Sequence, residues 1–232
     1  MHIKHLQNQQ KKLQARSDFY TPRGLHVYFK DPIVNEEIDV EAIVADLERK
    51  LPSHLLAEIE MIIFGWFDEF AERDINAFYD SGTIYISNHH DDPEEILDDI
   101  IHELAHSLEE AYGYEIYADE KLKQEFIRKR EYLYDILWKN DFKAPKAIFL
   151  DTEYNKEFDE FLYEKVGYDK LSRLLSGVFI SAYAPTSLRE YFATGFVAYY
   201  LDTNPEYLRK IGPQLYEKIN LVHNKDLLDN RY

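Results

Sequence analysis

The segment that most constrains the fold is a charged and apolar stretch with two histidines at its centre. It runs from Asp91 to Tyr114 and reads DDPEEILDDIIHELAHSLEEAYGY. His102 and His106 are four residues apart, so on a helix both imidazoles lie on one face and can reach one ion. Glu103 flanks them on the same side, where its carboxylate can take a proton from a water but cannot easily bind the ion. The HExxH spacing therefore predicts a metal site on a helix.

The residues around this motif predict that the stretch is a helix. Asp92 is placed to cap the first turn, Pro93 suits the first helical position, and Glu95 suits the third. Gly113 predicts the end of the helix. Apolar residues recur at helical spacing and indicate a mostly buried helix: Ile96, Leu97, Ile100, Ile101, Leu104, Ala105 and Leu108.

The charge and the residue types exclude several classes of protein. The formal net charge of −17 argues against nucleic acid or an anionic membrane as the main partner, because phosphate groups are bound by clustered lysines and arginines. A basic or neutral peptide is a better partner for a chain with this negative charge. The chain has no cysteine, which excludes disulfides, a thiolate zinc site and a cysteine nucleophile.

The chain is predicted to form one domain preceded by an arm. Residues 1–24 are polar and locally basic, and we expect a short helix or a solvated tail there. Residues 25–232 are expected to form an α/β lobe up to about residue 114 and a helical lobe after it. The first residues lack an apolar signal core and no run is long enough to span a membrane, so we expect a cytoplasmic protein unless a non-classical route exports it.

Strand patterns are confined to the first half of the chain. Residues 24–30 and 61–67 are typical of strands, and residues 75–79 and 83–87 flank a turn with glycine, as in a hairpin. We expect the strand at 83–87 to lie at the sheet edge above the HExxH helix and to bind an extended peptide by strand addition. Helices are predicted at residues 38–50, 118–139, 154–167, 168–181, 185–201 and 204–222. This pattern predicts an α+β fold with a small mixed sheet.

A catalytic zinc site needs a third protein ligand, and two glutamates compete for that position. Glu125 lies among basic residues, where a solvated, salt-bridged helix face is the ordinary interpretation. Glu190 lies in an apolar segment, where a carboxylate requires a partner such as a metal. We therefore favour Glu190, with Glu125 as the alternative. His89 and His90 lack ligand spacing and are interpreted as loop residues.

Three segments in order resemble the catalytic domain of anthrax lethal factor and the related Pro-Pro endopeptidases. They are the strand GTIYIS, the motif HELAHSLEEAYG and the segment YAPTSLREYFATGFVAYYL. These proteins are zincins of the gluzincin type, whose third zinc ligand is a glutamate. The resemblance implies that Glu190 is this ligand and that Tyr183, seven residues earlier, faces the zinc. Thr194 replaces an acidic residue that supports a zinc-bound histidine in the family.

The resemblance implies a zinc metalloendopeptidase. Glu103 acts as general base toward a zinc-activated water, and Tyr183 donates a hydrogen bond to the oxyanion that forms. Two other hypotheses about function remain. One is a non-catalytic zincin-like interaction or assembly protein with a structural zinc, which the presence of Glu103 disfavours. The other is a latent enzyme in which the basic N-terminal arm lies across an acidic cleft.

Overall fold

The computed structural model describes residues 18–202 and 204–229 and has the predicted α+β class. Most of the predicted N-terminal arm, residues 1–17, lies outside the described residues, and so does its predicted inhibitory role. The arm is not predicted correctly after that point, because Asp18–Tyr20 already forms a strand of the sheet. One compact unit ends at Leu108 and a second begins at Glu109.

Five strands form one mixed sheet in the first unit. They are β1 (Asp18–Tyr20), β2 (His26–Phe29), β3 (Met61–Gly65), β4 (Ala77–Asp80) and β5 (Thr83–Ser87), in the spatial order β1-β2-β3-β5-β4. The three inner strands are parallel to one another, and the two outer strands are antiparallel to their neighbours. The small mixed sheet is thus confirmed.

Apolar residues at every second position bury one face of this sheet. Val27, Ile62 and Ile84 lie side by side on the three inner strands, and each is fully buried. Phe64 and Ile86 form the next row of the same face. Because side chains alternate across a strand, this register places the core of the first unit on one side of the sheet.

The position predicted for the strand at residues 83–87 is wrong. β5 is not an edge strand, because it is hydrogen-bonded in parallel to β3 and antiparallel to β4. The hairpin pattern predicted which two segments pair, but it contains no information about which arm of the hairpin lies outermost. The edge of the sheet on this side is β4, so β5 has no unpaired backbone for an extended peptide.

Four helices complete the first part of the fold: α1 (Val40–Lys50), α2 (Ser53–Leu56), α3 (Asp68–Arg73) and α4 (Pro93–Tyr117). Helix α4 carries the HExxH motif. Asp92 caps it as predicted, since its Oδ1 accepts a hydrogen bond from the backbone N–H of Glu94 at 2.8 Å. The predicted end at Gly113 is wrong: α4 continues to Tyr117, and the chain turns at Glu120, whose φ is 60°. Burial of Ile116 offsets the cost of about 1 kcal/mol for a helical glycine.

The described part of the second unit is helical. It contains the end of α4 and then α5 (Lys121–Lys139), α6 (Lys146–Leu150), α7 (Lys156–Glu160), a π-helical turn (Phe161–Val166), α8 (Tyr168–Leu174), α9 (Leu188–Leu201), α10 (Pro205–Ile211), α11 (Pro213–His223) and α12 (Lys225–Asp229). Two predicted helices are broken. The helix predicted at 154–167 changes into the π-helical turn, and the one at 204–222 breaks at Pro213, which has no N–H to donate. The helix predicted at 168–181 ends early, at Leu174.

A buried arginine ties several segments of the second unit together. Arg130 is 1% exposed, and its guanidinium donates hydrogen bonds to the carbonyls of Ile148, Phe149 and Pro185. The guanidinium also lies 4.0 Å from the centroid of the Phe158 ring. Because the five N–H groups of an arginine can satisfy several carbonyls at once, this side chain holds the loop that leads into α9.

None of the helices among the described residues is both long enough and apolar enough to cross a bilayer.

Candidate metal centre

The structure brings together the three residues for which metal binding was predicted. One ligand atom from each of His102, His106 and Glu190 can be chosen such that all lie within 4.8 Å of one another. Within the described ranges, no other group of three histidine or carboxylate side chains meets this criterion. Two imidazoles and a carboxylate form a donor set that zinc accepts. The residues therefore fit a zinc ion.

Helix α4 positions both histidines through its regular geometry. Their ring centroids lie 5.0 Å apart, as expected for residues one turn apart on one face. His102, Glu103 and His106 are half-buried, whereas Leu104 and Ala105 are fully buried on the other side of the helix. The apolar side thus anchors α4, and the motif side stays accessible to small molecules.

Glu190 lies in the first turn of α9. The hydroxyl of Ser187 accepts a hydrogen bond from the backbone N–H of Glu190 at 3.1 Å and caps the helix. Further along α9, the Thr194 hydroxyl donates to the carbonyl of Glu190 at 2.7 Å. Thr194 therefore bonds within its own helix, and it does not supply the support that an acidic residue gives a zinc-bound histidine.

Two contacts join α9 to the C-terminal half of α4. Arg189 Nε lies 2.7 Å from a carboxylate oxygen of Glu109, and the rings of Tyr117 and Phe192 have centroids 6.3 Å apart. Glu109 is not a solvated carboxylate, because its side chain is only 13% exposed and is paired with Arg189. Glu109 and Tyr117 both lie in the C-terminal half of α4, so these two contacts fix the start of α9 against that part of the helix.

Glu125 does not join this cluster, and its carboxylate has other partners. It is 5% exposed, so the predicted solvated helix face is wrong. Its carboxylate accepts hydrogen bonds from the Tyr191 hydroxyl at 3.0 Å and from the backbone N–H groups of Gln214 and Leu215 at 2.9 and 3.1 Å. These N–H groups belong to the first turn of α11, where a negative charge is favourable. Glu125 caps a helix.

Tyr183 lies on the loop before α9 and is half-buried. Its carbonyl accepts hydrogen bonds from the backbone and the hydroxyl of Thr186 at 3.0 and 2.9 Å, which fixes the turn. Burial raises the pKa of Tyr183 above its ordinary value, and the nearby carboxylate of Glu190 raises it further. The phenol therefore stays protonated near neutral pH and can donate a hydrogen bond.

The two histidines predicted to be loop residues do lie in the loop before α4, but they differ in burial. His89 is exposed and its ring meets Trp66 edge-on, with centroids 5.5 Å apart. His90 is 5% exposed and its Nε2 lies 3.2 Å from Asp99 Oδ2.

Two features that position this cluster were not predicted from the sequence. The pattern Ser187-x-x-Glu190 is a capping sequence and could have placed the start of α9 just before Glu190. No local pattern indicates that Arg130 holds residues 185 and 186. Its partners are backbone carbonyls, which every residue has.

Comparisons of this chain with models of protein families, with curated proteins and with solved structures find no match. The resemblance to lethal factor and the Pro-Pro endopeptidases therefore rests on the sequence motifs alone.

Proposed function

We propose that this chain is a zinc-dependent endopeptidase with a zincin-like catalytic domain. The observation that carries the proposal is the cluster of His102, His106 and Glu190, whose ligand atoms lie within 4.8 Å of one another. Glu190 follows His106 by 84 residues, so no local sequence pattern by itself brings the two side chains together. The mixed sheet and the HExxH helix in the first unit agree with the zincin resemblance.

His102, His106 and Glu190 would hold the zinc, which would supply Lewis-acid chemistry and lower the pKa of a water toward neutrality. Glu103 follows His102 directly, and its half-buried carboxylate is the group that takes the proton as water attacks the peptide carbonyl. The same carboxylic acid then gives the proton to the departing amine. This role explains why a carboxylate lies beside the ligands.

Tyr183 is the second group proposed to act on the substrate. A tyrosine phenol is protonated near neutral pH, and burial raises the pKa of Tyr183 further. A protonated phenol can donate a hydrogen bond to the oxygen that becomes negative during attack, where such donors contribute most. Arg130 and the turn at Thr186 hold the loop that carries it.

The ligand count favours catalysis over a structural zinc. Structural zinc sites have four protein ligands, whereas catalytic sites have three and keep one position open. Among the described residues, the cluster contains three side chains of suitable type. A non-catalytic scaffold would also leave Glu103 without a function.

We place the peptide substrate on β4 and not on β5. Within the described sheet, β4 has a strand neighbour on one side only, so its backbone can pair with an extended chain. The net charge of −17 favours basic or neutral peptides.

The test combines zinc content after dialysis with cleavage of a diverse peptide library by untagged protein. Wild type is expected to keep one tightly bound zinc and to cleave peptides. Glu103→Gln is expected to keep the zinc and to lose about 10²- to 10⁴-fold in kcat. Tyr183→Phe is expected to keep the zinc and to lose about 10²- to 10³-fold. Glu190→Ala is expected to lose the zinc.

The matched control is Glu110→Gln, an exposed carboxylate on the same helix, which should change neither zinc content nor rate. Zinc retention in Glu190→Ala would refute the ligand set. Wild type that holds zinc but cleaves no peptide would favour the hypothesis of a non-catalytic protein with a structural zinc.

A further inference from the structure

A second cluster of metal-binding side chains lies at the start of α4. A recess of about 310 Å³ is lined by His90 and by five acidic side chains: Asp92, Glu94, Glu95, Asp98 and Asp99. It shares no lining residue with the centre formed by His102, His106 and Glu190. Carboxylates at a helix start are ordinary, because they suit the helix dipole. Only an additional feature can indicate a ligand.

The additional feature is the imidazole of His90. Its side chain is 3% exposed, and its Nε2 is buried without a hydrogen-bond partner. A buried polar atom that makes no hydrogen bond is costly, by about 1–3 kcal/mol, and native proteins rarely leave one. His90 lines the recess, so an occupant of the recess can satisfy this nitrogen.

The position of Asp99 indicates what kind of occupant fits. Its Oδ2 lies 3.2 Å from His90 Nε2, although the two atoms make no hydrogen bond. Ligand bonds of about 2.0–2.2 Å put two ligands of one ion about 3.0–3.5 Å apart at octahedral or tetrahedral angles. The pair therefore has the separation of two ligands around a shared cation.

The surrounding charges also favour a cation. In the part of the chain that the structure describes, no lysine or arginine pairs with Asp92, Glu94 or Glu95. Glu95 lies one turn before Asp99 on α4 and is exposed, so rotation of its side chain can supply a third ligand. The recess also has room for the waters that such an ion keeps.

We propose that this recess is a second divalent-cation site, with His90 and Asp99 as its first ligands. A nitrogen ligand among carboxylates suits Zn²⁺ or Mn²⁺ better than Mg²⁺ or Ca²⁺, which prefer oxygen. The third ligand is not in place beforehand, since among the residues that the structure describes only the His102 cluster brings three ligand atoms within 4.8 Å. This site therefore binds more weakly than the proposed catalytic centre and fills after it.

The experiment is a calorimetric titration of untagged, metal-free protein with Zn²⁺ alone in 150 mM salt. Wild type is expected to bind two equivalents in two separable phases. His90→Gln is expected to keep the tight phase and to weaken the second by at least about tenfold, the lower end of the effect of losing an outer-shell partner. His89→Gln, which changes the exposed neighbour, should keep both phases.

Glu190→Ala assigns the phases independently, because it is expected to remove the tight phase and to leave the weak one. A double variant, Glu95→Gln with Asp99→Asn, repeats the test on exposed or half-exposed carboxylates if His90→Gln does not fold. A single equivalent in wild type, or an unchanged second phase in both His90→Gln and the double variant, would overturn the second site without affecting the first.

Discussion

At the scale of single residues, burial decides what a charged side chain does. Glu109, Glu125 and Arg130 all lie in charged stretches that are typical of solvated helix faces. Each has a specific partner, and Glu125 and Arg130 are almost completely buried. A buried charge requires such partners, so these residues organise the second unit and are not available for metal binding.

Glu125→Gln tests this distinction. An amide can still accept from Tyr191, but its NH₂ group must then face a backbone N–H of α11, so one donor loses its acceptor. We expect the free energy of unfolding to fall by about 1–3 kcal/mol while zinc content and peptide cleavage remain. Urea unfolding and metal analysis measure the two effects separately.

The control is Glu131→Gln on the same helix, which removes only a partly exposed ion pair with Lys146. Its effect on stability should stay within about 0.5 kcal/mol. If Glu125→Gln lost its zinc and kept its stability, Glu125 would be a ligand after all.

At the scale of elements, the metal centre depends on how closely α9 approaches its neighbours. Gly195 lies on α9, five residues after Glu190, and a Cβ added there would meet Leu215 Cδ2 of α11 at 2.4 Å. The absence of a side chain is therefore required by the contact between the two helices. Gly113 in α4 is different, because no atom lies within 4 Å of an added Cβ.

We expect opposite results for alanine at these two glycines. Gly195→Ala should lower the free energy of unfolding by about 1–3 kcal/mol, because it overpacks the contact, and should weaken zinc binding by moving α9. Gly113→Ala should raise the free energy of unfolding by about 0.5–1 kcal/mol, because alanine favours the helix. Thermal unfolding of both variants checks the prediction, and stabilisation by Gly195→Ala would contradict the close approach of the helices.

At the scale of the whole molecule, we expect tyrosines that are half-buried or buried to limit stability at alkaline pH. Burial raises the pKa of several phenols above the ordinary value of 10.0: Tyr117, Tyr168, Tyr183, Tyr191 and Tyr200. Lys129 acts in the opposite sense, since burial lowers its pKa to about 8. Burial also lowers the pKa of Arg130, to about 9, but the tyrosines whose pKa is raised outnumber these two cations.

We therefore expect stability to fall as the pH rises above about 10. Below that pH the folded and the unfolded chain both hold the phenolic protons, so these groups leave stability unchanged. Above it the unfolded chain loses protons that the folded chain retains, and unfolding is favoured. Absorbance at 295 nm should report ionisation of these phenols together with the loss of far-UV circular dichroism. Full ionisation before any loss of helix would contradict this prediction.

The sequence by itself determined the features that depend on neighbours within about one helical turn. The Asp92 cap, the apolar face of α4 and the spacing of His102 and His106 are such features. The hairpin of β4 and β5 was also predictable, because its turn lies within a few residues of both strands. The α+β class follows from these local patterns.

Only the tertiary structure decided which segments meet over long separations. It placed β4 and not β5 at the edge of the sheet, because β5 also pairs with β3. It brought Glu190 close to the two histidines, and it placed the carboxylate of Glu125 against the backbone N–H groups at the start of α11. Both glutamates carry the same chemistry, so only the packing of distant helices could assign them different roles.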